Sequence, residues 1–344
     1  AAGNTFVLKA ASAAPQSALR FTELWMEAGL PPGVLNVITC APDDVSLFIQ
    51  HPDIVGVSFV GSSETGARVY AEAAAEGKRV QVLGEAKNHA LVMADCALER
   101  TAAGIINAFC GCAGQRCMAL PVVVAEEPVA DALVRLLREK AAHLKLGPAY
   151  DKNTTLGPLV SASRRKNVLD WIGRGIREGA ELVLDGRGIS VPGYENGFFI
   201  GPTLFDHVTP GMSIGEQEIF GPVLCIKRVR NFEEGLSVMN ANPFANGSVI
   251  YTQNGRYARE FTRRTHGGMV GVNVGIPVPV CSFGFTGHKR SFFGDLHTMG
   301  TDGVRFYTEK KTVTSTWFED GHSGTVDTWD GTLGSLSENS GKRN

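Results

Sequence analysis

The sequence lacks an excess of charge of either sign. Its 344 residues include 33 Lys and Arg against 35 Asp and Glu, which gives a formal net charge of −2. A chain so close to neutral has no general attraction for phosphate backbones or for anionic membrane surfaces. We therefore expect no nucleic-acid partner and no membrane partner.

Long hydrophobic runs and a regular cysteine pattern are also missing. The apolar runs stop well short of a bilayer span, although hydrophobic residues make up 43% of the chain against 20% charged, enough for a globular core. The seven cysteines are odd in number and irregularly spaced, so they form neither a disulfide ladder nor a repeated CxxC metal pattern. We expect a globular protein of a reducing compartment, the cytoplasm or the mitochondrial matrix, without a bound metal.

The two ends of the chain differ from its body. Residues 1–5 contain no initiator Met, no basic segment and no apolar signal core. This start predicts a processed chain or an N-terminally truncated fragment. Residues 319–344 are rich in Gly, Ser, Thr and Asp, with too few apolar anchors to offset the entropy of ordering. We predict a disordered tail there.

Short β-rich stretches alternate with amphipathic helices along the rest of the chain. The stretches at 5–10, 33–39 and 56–60 surround a helix predicted over Gln16–Ala28, and a strand before Val129–Leu144 continues the rhythm. Parallel strands need such crossover connections, so the pattern indicates an α/β fold with an open parallel sheet. The length predicts about two domains.

The segment GCAGQRCMAL carries the strongest chemical signal. A helical run breaks at Gly114, and Cys117 follows just before a strand. A thiol in such a place can attack a carbonyl when neighbouring N–H groups hold the developing oxyanion. By composition alone, a buried structural cysteine is the commoner explanation. Cys110 and Cys112 have neither the spacing nor the nearby His of a zinc site.

Two further segments could contact a nucleotide. Val55–Gly66 passes from a strand through a Gly/Ser turn into a helix, whose free N–H groups and Ser62 hydroxyl suit an anion. Glu216–Val223 could place a carboxylate on a sugar hydroxyl and an aromatic ring against a flat cofactor. Each has an ordinary alternative: a capped βα turn for the first, and a solvated acidic loop for the second.

Six segments, in order, resemble the aldehyde dehydrogenase superfamily: FVLK at 6–9, GLPPGVLNV at 29–37, FVGSSETG at 59–66, GQRC at 114–117, LGPLVS at 156–161 and EIFGPV at 218–223. Within it, GQRCMAL, NPFANGSVIYTQNG and SFFGDLH are similar to the CoA-acylating methylmalonate-semialdehyde dehydrogenases. The resemblance covers about Gly3–Phe318.

The resemblance implies an NAD-dependent oxidation through a thioester. Cys117 would be the nucleophile, and its own N–H would belong to the oxyanion hole. Apart from the resemblance, Arg116 is adjacent to Cys117, and its guanidinium is a candidate to bind a substrate carboxylate with two hydrogen bonds; a structural salt bridge at a helix end is the alternative. Residues of the cofactor site would be Lys9 (adenosine ribose), Gly33, Gly61, Ser62 (pyrophosphate), Glu218 (nicotinamide ribose) and Phe220 (nicotinamide ring).

Four positions depart from the family pattern. Most hydrolytic members activate water with a Glu two residues before a Gly-Gly pair, and Val82 stands at that position. A valine cannot take a proton, which favours a thiol such as CoA as the acyl acceptor. The second Gly is Glu85, whose role the sequence leaves open. Ser12 replaces an acidic residue near the ribose, so NAD is only the favoured cofactor, and His288 is a minor change.

The resemblance implies a Rossmann-like NAD-binding domain, here incomplete, at 1–85, and an α/β catalytic thiol domain at 86–290. A C-terminal segment at 291–318 would hold an oligomerisation strand, Val304–Phe318, which implies a homodimer or homotetramer. The chain would begin inside the cofactor domain, beyond the Asn that completes the oxyanion hole.

The implied reaction is oxidation of malonate or methylmalonate semialdehyde to acetyl-CoA or propionyl-CoA with release of carbon dioxide. One alternative is a hydrolytic aldehyde dehydrogenase that produces a free acid. The other is a truncated, non-catalytic subunit. Glu85 and the missing leading segment support this second alternative.

Overall fold

A seven-stranded sheet is the largest element of the structure, a computed structural model that describes residues 2–315 and 317. Its neighbouring strands run parallel, apart from one antiparallel pair at the edge, β7 with β8. The spatial order is β12 (Met269–Val272), β11 (Gly247–Tyr251), β5 (His89–Val92), β6 (Val122–Glu126), β9 (Val223–Val229), β8 (Thr203–Asp206) and β7 (Glu181–Leu184).

Helices pack on this sheet and bury its central strands. All of β5 and residues 122–125 of β6 are buried, as expected for parallel strands covered on both faces. Leu133 and Leu137 lie one turn apart on the buried side of their helix, which explains its amphipathic pattern. The helices are α4 (Leu98–Cys110), α5 (Glu127–Ala142), α6 (Ala162–Arg177), α7 (Phe232–Ala241) and α8 (Gly255–Arg264).

The strands before residue 85 form two smaller sheets. In the first, β1 (Phe6–Lys9) and β2 (Leu35–Ile38) run parallel. In the second, β3 (Gly56–Val60) pairs in parallel with β4 (Arg79–Leu83), and β14 (Phe292–Phe293) adds an antiparallel edge. The helices of this part are α1 (Pro15–Glu27), α2 (Val45–Gln50) and α3 (Ser63–Ala75). A separate two-stranded ribbon pairs β10 (Phe244–Ala245) with β13 (His288–Lys289) in antiparallel orientation.

The α/β alternation predicted from the sequence is confirmed. The helix predicted over Gln16–Ala28 is α1, and the one over Val129–Leu144 is α5. The predicted domain boundary at residue 85 coincides with the change from the small sheets to the large one, but residues up to Thr308 form one compact unit. The division into domains therefore stays a prediction.

The prediction of a strand over Val304–Phe318 is wrong at its beginning. Residues Gly300–Phe306 form a helix, α9, in which Phe306 is buried and its carbonyl accepts from Arg79 Nη1 at 2.8 Å. The predicted strand overlaps α9 only at residues 304–306. Three residues that alternate between apolar and polar are too few to distinguish a strand from a helical turn. Residues 307–315 and 317 form no strand within this chain, and pairing between subunits stays a prediction.

The predicted tail, 319–344, lies outside the residues that the structure describes. None of the helices in the described part is both long and apolar enough to cross a membrane.

Candidate active site

The nucleophile turn, residues 111–118, is named for the role predicted for Cys117 and leaves the end of α4 through a left-handed bend. Cys112 and Ala113 have φ values of 54° and 53°, and Gly114 follows at 72°. A Cβ atom on Gly114 would lie 2.2 Å from the carbonyl oxygen of Gly221. Glycine is therefore required here, both for the backbone conformation and for the close approach. This contact packs the GQRC segment directly against the EIFGPV segment.

Asn88 holds the nucleophile turn in place. Its Nδ2 donates to the carbonyl oxygens of Cys117 at 2.9 Å and Ala119 at 2.7 Å, and its Oδ1 accepts from Gly247 N at 2.7 Å. Asn246 Nδ2 also donates to the Cys117 carbonyl, at 3.2 Å. Asn88 is buried, so each of these bonds satisfies a group that water cannot reach. The thiol is thus tied to both β5 and β11.

The two residues before Asn88 reach the segment that carries Glu218. Ala86 N donates to Glu218 Oε1 at 3.1 Å, and the buried Lys87 Nζ donates to the carbonyl of Ile214 at 2.8 Å. Burial lowers the pKa of Lys87 to about 8. Residues 85–88 will be called the connector, because they join the nucleophile turn to the acidic segment.

Burial and the charge of Glu218 both act on the pKa of the Cys117 thiol. Burial is the main cause that raises the pKa of the Cys117 thiol, and the Glu218 charge raises it further. The N–H groups of Cys117 and Met118 and the charge of Arg116 lower the same pKa. Burial likewise raises the pKa of Glu218 to about 7, although the Ala86 N–H opposes the shift. The site therefore holds a desolvated thiol with backbone donors beside it.

The connector also reaches the turn that carries Ser62. This residue caps α3, its Oγ accepting from Thr65 N at 3.3 Å. The next residue, Ser63, donates its N–H to Glu85 Oε2 at 3.1 Å, and its Oγ accepts from Glu85 N at 2.9 Å. The ordinary capped turn is thus present, at the site where an anion would meet the helix N-terminus.

The other predicted cofactor residues lie on four different segments of the chain. Lys9 ends β1, and its Nζ donates to Ser12 Oγ at 3.2 Å, so the two residues singled out near the ribose are in contact. Gly33 has a φ of 83° in the turn before β2. Gly61 follows β3, where a Cβ would lie 2.6 Å from the Phe59 ring. Phe220 has a φ of 58°, unusual for a residue with a side chain.

Arg116 turns towards the end of α4. Its Nη2 donates to the Asn107 carbonyl at 2.8 Å, which is a helix-end contact with a carbonyl rather than a salt bridge. Its Nε is buried and has no hydrogen-bond partner in the described part of the chain. The guanidinium thus retains donors on Nε and Nη1 that the described part of the fold does not use.

Val82 does not face the thiol. The residue is fully buried, and a Cβ on Gly66 of α3 would lie 2.5 Å from its Cγ1. A glutamate at position 82 would therefore be buried under α3. Leu83, the next residue of β4, points to the opposite face of the strand and cannot take a proton either. Residues 2–315 and 317 contain no group of three His, Cys, Asp or Glu side chains arranged to hold a metal.

Sequence reasoning missed the connector as a unit. In the sequence, Lys87 and Asn88 are two polar residues just before β5, and this strand is only four residues long, so no pattern marks them as buried. A buried Lys or Asn is recognised by its partners in space, which the sequence does not give. The one available signal was the position of the segment inside the stretch already compared with the family.

The thiol turn packs on an acidic segment and lies in the same structure as a βα turn whose helix N-terminus suits an anion. Together these features indicate an aldehyde dehydrogenase. The aldehyde dehydrogenase family model matches residues 1–313, and the chain belongs to the aldehyde dehydrogenase family.

Individual relatives narrow the similarity to semialdehyde dehydrogenases. The chain is 47% identical over 318 residues to malonate-semialdehyde dehydrogenase 1 of Oceanobacillus iheyensis and 50% identical over 315 residues to malonate-semialdehyde dehydrogenase 3 of Geobacillus kaustophilus. Each match covers 92% of this chain but only 65% of the relative, so the chain spans about two thirds of these proteins.

Solved structures agree with this likeness. A protein assigned as a methylmalonate-semialdehyde dehydrogenase from Sinorhizobium meliloti 1021, complexed with NAD, is 46% identical with a TM-score of 0.90, and the match covers 92% of this chain and 65% of that one. The methylmalonate-semialdehyde dehydrogenase of Oceanimonas doudoroffii is 43% identical with a TM-score of 0.91, with coverage of 93% and 66%.

Proposed function

We propose that this chain carries the catalytic thiol of an NAD-dependent, CoA-acylating semialdehyde dehydrogenase. Its substrate is malonate or methylmalonate semialdehyde, and its products are acetyl-CoA or propionyl-CoA and carbon dioxide. The observation that carries the proposal is the connector, which holds Cys117, Glu218 and the Ser62 turn together. The names of the relatives support the substrate class.

The chemistry starts at Cys117. The thiol loses its proton, and Sγ adds to the aldehyde carbon while the N–H of Cys117 faces the developing oxyanion. Hydride then leaves that carbon, so a thioester remains on Sγ; NAD, when bound, supplies the hydride acceptor. The thiolate of CoA attacks the thioester carbonyl and displaces Sγ. The β-carboxylate leaves as carbon dioxide, and the α-carbon that keeps its electron pair takes up a proton.

The residues present fit a dinucleotide. Ser62 and the N-terminus of α3 offer hydroxyl and N–H donors to a pyrophosphate, and Lys9 ends the parallel strand β1 where a ribose would be reached. The Ala86 N–H holds Glu218 in a fixed orientation for ribose hydroxyls. Phe220, in its left-handed conformation, would orient the nicotinamide ring, and Gly33 and Gly61 would keep the turns narrow.

CoA is favoured over water as the acyl acceptor because the usual base is absent. Neither Val82 nor Leu83 can take a proton, and the Glu85 carboxylate is bonded to Ser63. One observation speaks for the hydrolytic alternative. Glu218 lies close enough to raise the pKa of Cys117, and its own pKa of about 7 would suit a base.

The assembly and location are part of the proposal. We propose a homodimer or homotetramer built through residues 307–318, as the family resemblance implies. The relatives named above are bacterial proteins, which favours the cytoplasm and gives no support to the mitochondrial matrix.

The nucleophile is tested by exchanging cysteines. Cys117→Ala should abolish NADH formation from methylmalonate semialdehyde, because no other thiol in the turn has the same donors. Cys110→Ala is the matched control, since Cys110 is buried seven residues away and should tolerate the change. Activity that survives Cys117→Ala would refute the assignment. NADH formation by none of the proteins would favour the non-catalytic alternative.

A further inference from the structure

Glu85 occupies a defined place at the start of α3. Its Oε2 accepts from Ser63 N at 3.1 Å, while its own N–H donates to Ser63 Oγ at 2.9 Å. The two residues are 22 positions apart in the chain, so this is a reciprocal cap between a strand end and a helix start. The carboxylate thus takes one of the N–H groups that a helix N-terminus leaves free.

Neighbouring backbone fixes this arrangement. Ser291 Oγ donates to the Glu85 carbonyl at 2.6 Å, and Ser63 Oγ donates to the Arg290 carbonyl at 2.8 Å. A Cβ on Gly84 would lie 2.6 Å from Ser63 Oγ and 2.7 Å from the Arg290 carbonyl oxygen, so the strand end approaches the helix start as closely as glycine allows. The negative charge therefore stands at the helix N-terminus.

We propose that Glu85 sets the affinity of the cofactor site for its anionic ligand. The inference rests on the proposed function, in which the diphosphate of NAD meets the Ser62 turn and the N-terminus of α3. The 13-residue helix presents a partial positive charge at this end. A carboxylate bound there neutralises part of that charge and repels the incoming diphosphate, so Glu85 weakens binding while it stabilises the turn.

The size of the effect follows from charge interactions at helix ends. Removing one such charge should strengthen NAD binding by about three- to tenfold at low ionic strength. The gain should shrink at high salt, because the interaction is partly screened. A ligand without phosphates should be insensitive to the change.

The test compares Glu85→Gln with the wild type by calorimetric titration of NAD and of adenosine. Gln keeps an oxygen that can accept from Ser63 N, so the cap survives while the charge is lost. Glu76→Gln is the matched control: it removes the same charge from the opposite end of α3, where the side chain is exposed. Glu85→Ala, which loses the cap as well, should show the same gain in affinity together with a lower melting temperature.

We expect tighter NAD binding for Glu85→Gln, an unchanged affinity for adenosine, and no change for Glu76→Gln. Equal NAD affinity in the wild type and Glu85→Gln would overturn the inference alone. An equal gain for adenosine would also overturn it, since that would indicate a change of shape rather than charge. A wild type that binds no NAD would overturn the proposed function itself.

Discussion

Glu218 and Cys117 are both negatively charged when ionised, and the charge of Glu218 raises the pKa of Cys117. The charged groups that act on Glu218 are Glu85, Lys87 and Arg164, and the thiol faces Glu218 and Arg116. Above pH of about 7 Glu218 is ionised, and its charge then disfavours the thiolate. Burial and the Glu218 charge thus both raise the pKa of the Cys117 thiol.

The first residue-scale prediction concerns this pair. Glu218→Gln removes a negative charge, so the pKa of Cys117 should fall and its alkylation by iodoacetamide should reach half-maximal rate at a lower pH. Peptide mass spectrometry across the pH range measures the midpoint at Cys117. Glu216→Gln, two residues earlier, serves as the control. A midpoint that stays unchanged or rises would contradict the coupling.

The order in which the cysteines are alkylated follows from their exposure and from the raised pKa of Cys117. Cys112 and Cys281 are exposed, whereas Cys117 is half-buried with a raised pKa. Limited alkylation of the free protein should therefore modify Cys112 before Cys117, because the thiolate is the reacting species.

A second residue-scale prediction concerns Arg116. Nη1 of Arg116 makes no hydrogen bond within the described residues and can donate to a substrate carboxylate, so Arg116→Leu should lower kcat/KM for methylmalonate semialdehyde by about ten- to a hundredfold. The loss with propanal, which has no carboxylate, should be much smaller. Arg165→Leu is the control, because Arg165 also donates to a carbonyl, that of Phe199. Equal losses on both substrates would assign Arg116 to the helix end alone.

At the scale of elements, the connector between β4 and β5 fixes the positions of the nucleophile turn, Glu218 and the start of α3. Asn88→Ala removes three hydrogen bonds at once, and only the Cys117 carbonyl keeps a second side-chain donor, Asn246 Nδ2. The free energy of unfolding should fall by about 2 to 4 kcal/mol, and the nucleophile turn should lose its fixed position. Urea denaturation measures the first effect, and aldehyde-dependent NADH formation the second. Asn153→Ala, at an exposed turn, should change neither, and a stable, active Asn88→Ala would refute the role of the connector.

The elements differ in how far the sequence could predict them. Helices α1 and α5 follow from apolar spacing, and β6 from its uninterrupted valines, because local pattern and burial agree there. The four-residue strand β5 and the helical turn α9 were missed or misassigned, since short patterns carry little information. Cys117, Ser62 and Glu218 were found through motifs, but the partner of Glu85 could not be, because a 22-residue separation has no local signature.

At the scale of the whole molecule, the chain exposes an unusual amount of apolar surface near its N-terminal sheet. On α1, Phe21 is 55% exposed and Met26 60%, and Val60 at the end of β3 is 67% exposed. Clusters of this kind are normally covered in a soluble protein. The chain on its own should therefore aggregate and turn over far below the enzyme median of about 10 per second.

Light scattering during purification of the 344-residue chain checks this prediction. The double substitution Phe21→Ser and Met26→Lys should reduce the aggregation with little effect on the melting temperature, because both side chains are largely exposed. A monodisperse wild type with full activity would show that these apolar side chains need no cover.

We propose that CoA, and not water, removes the acyl group from Cys117. The most direct measurement is NADH formed per chain at high protein concentration, with methylmalonate semialdehyde and NAD, first without CoA and then after its addition. Single-turnover conditions detect the chemistry even when turnover is slow. We expect at most one NADH per chain without CoA. Once CoA is present, NADH formation should resume, accompanied by propionyl-CoA. Continued NADH formation without CoA, with a free acid as the product, would contradict it.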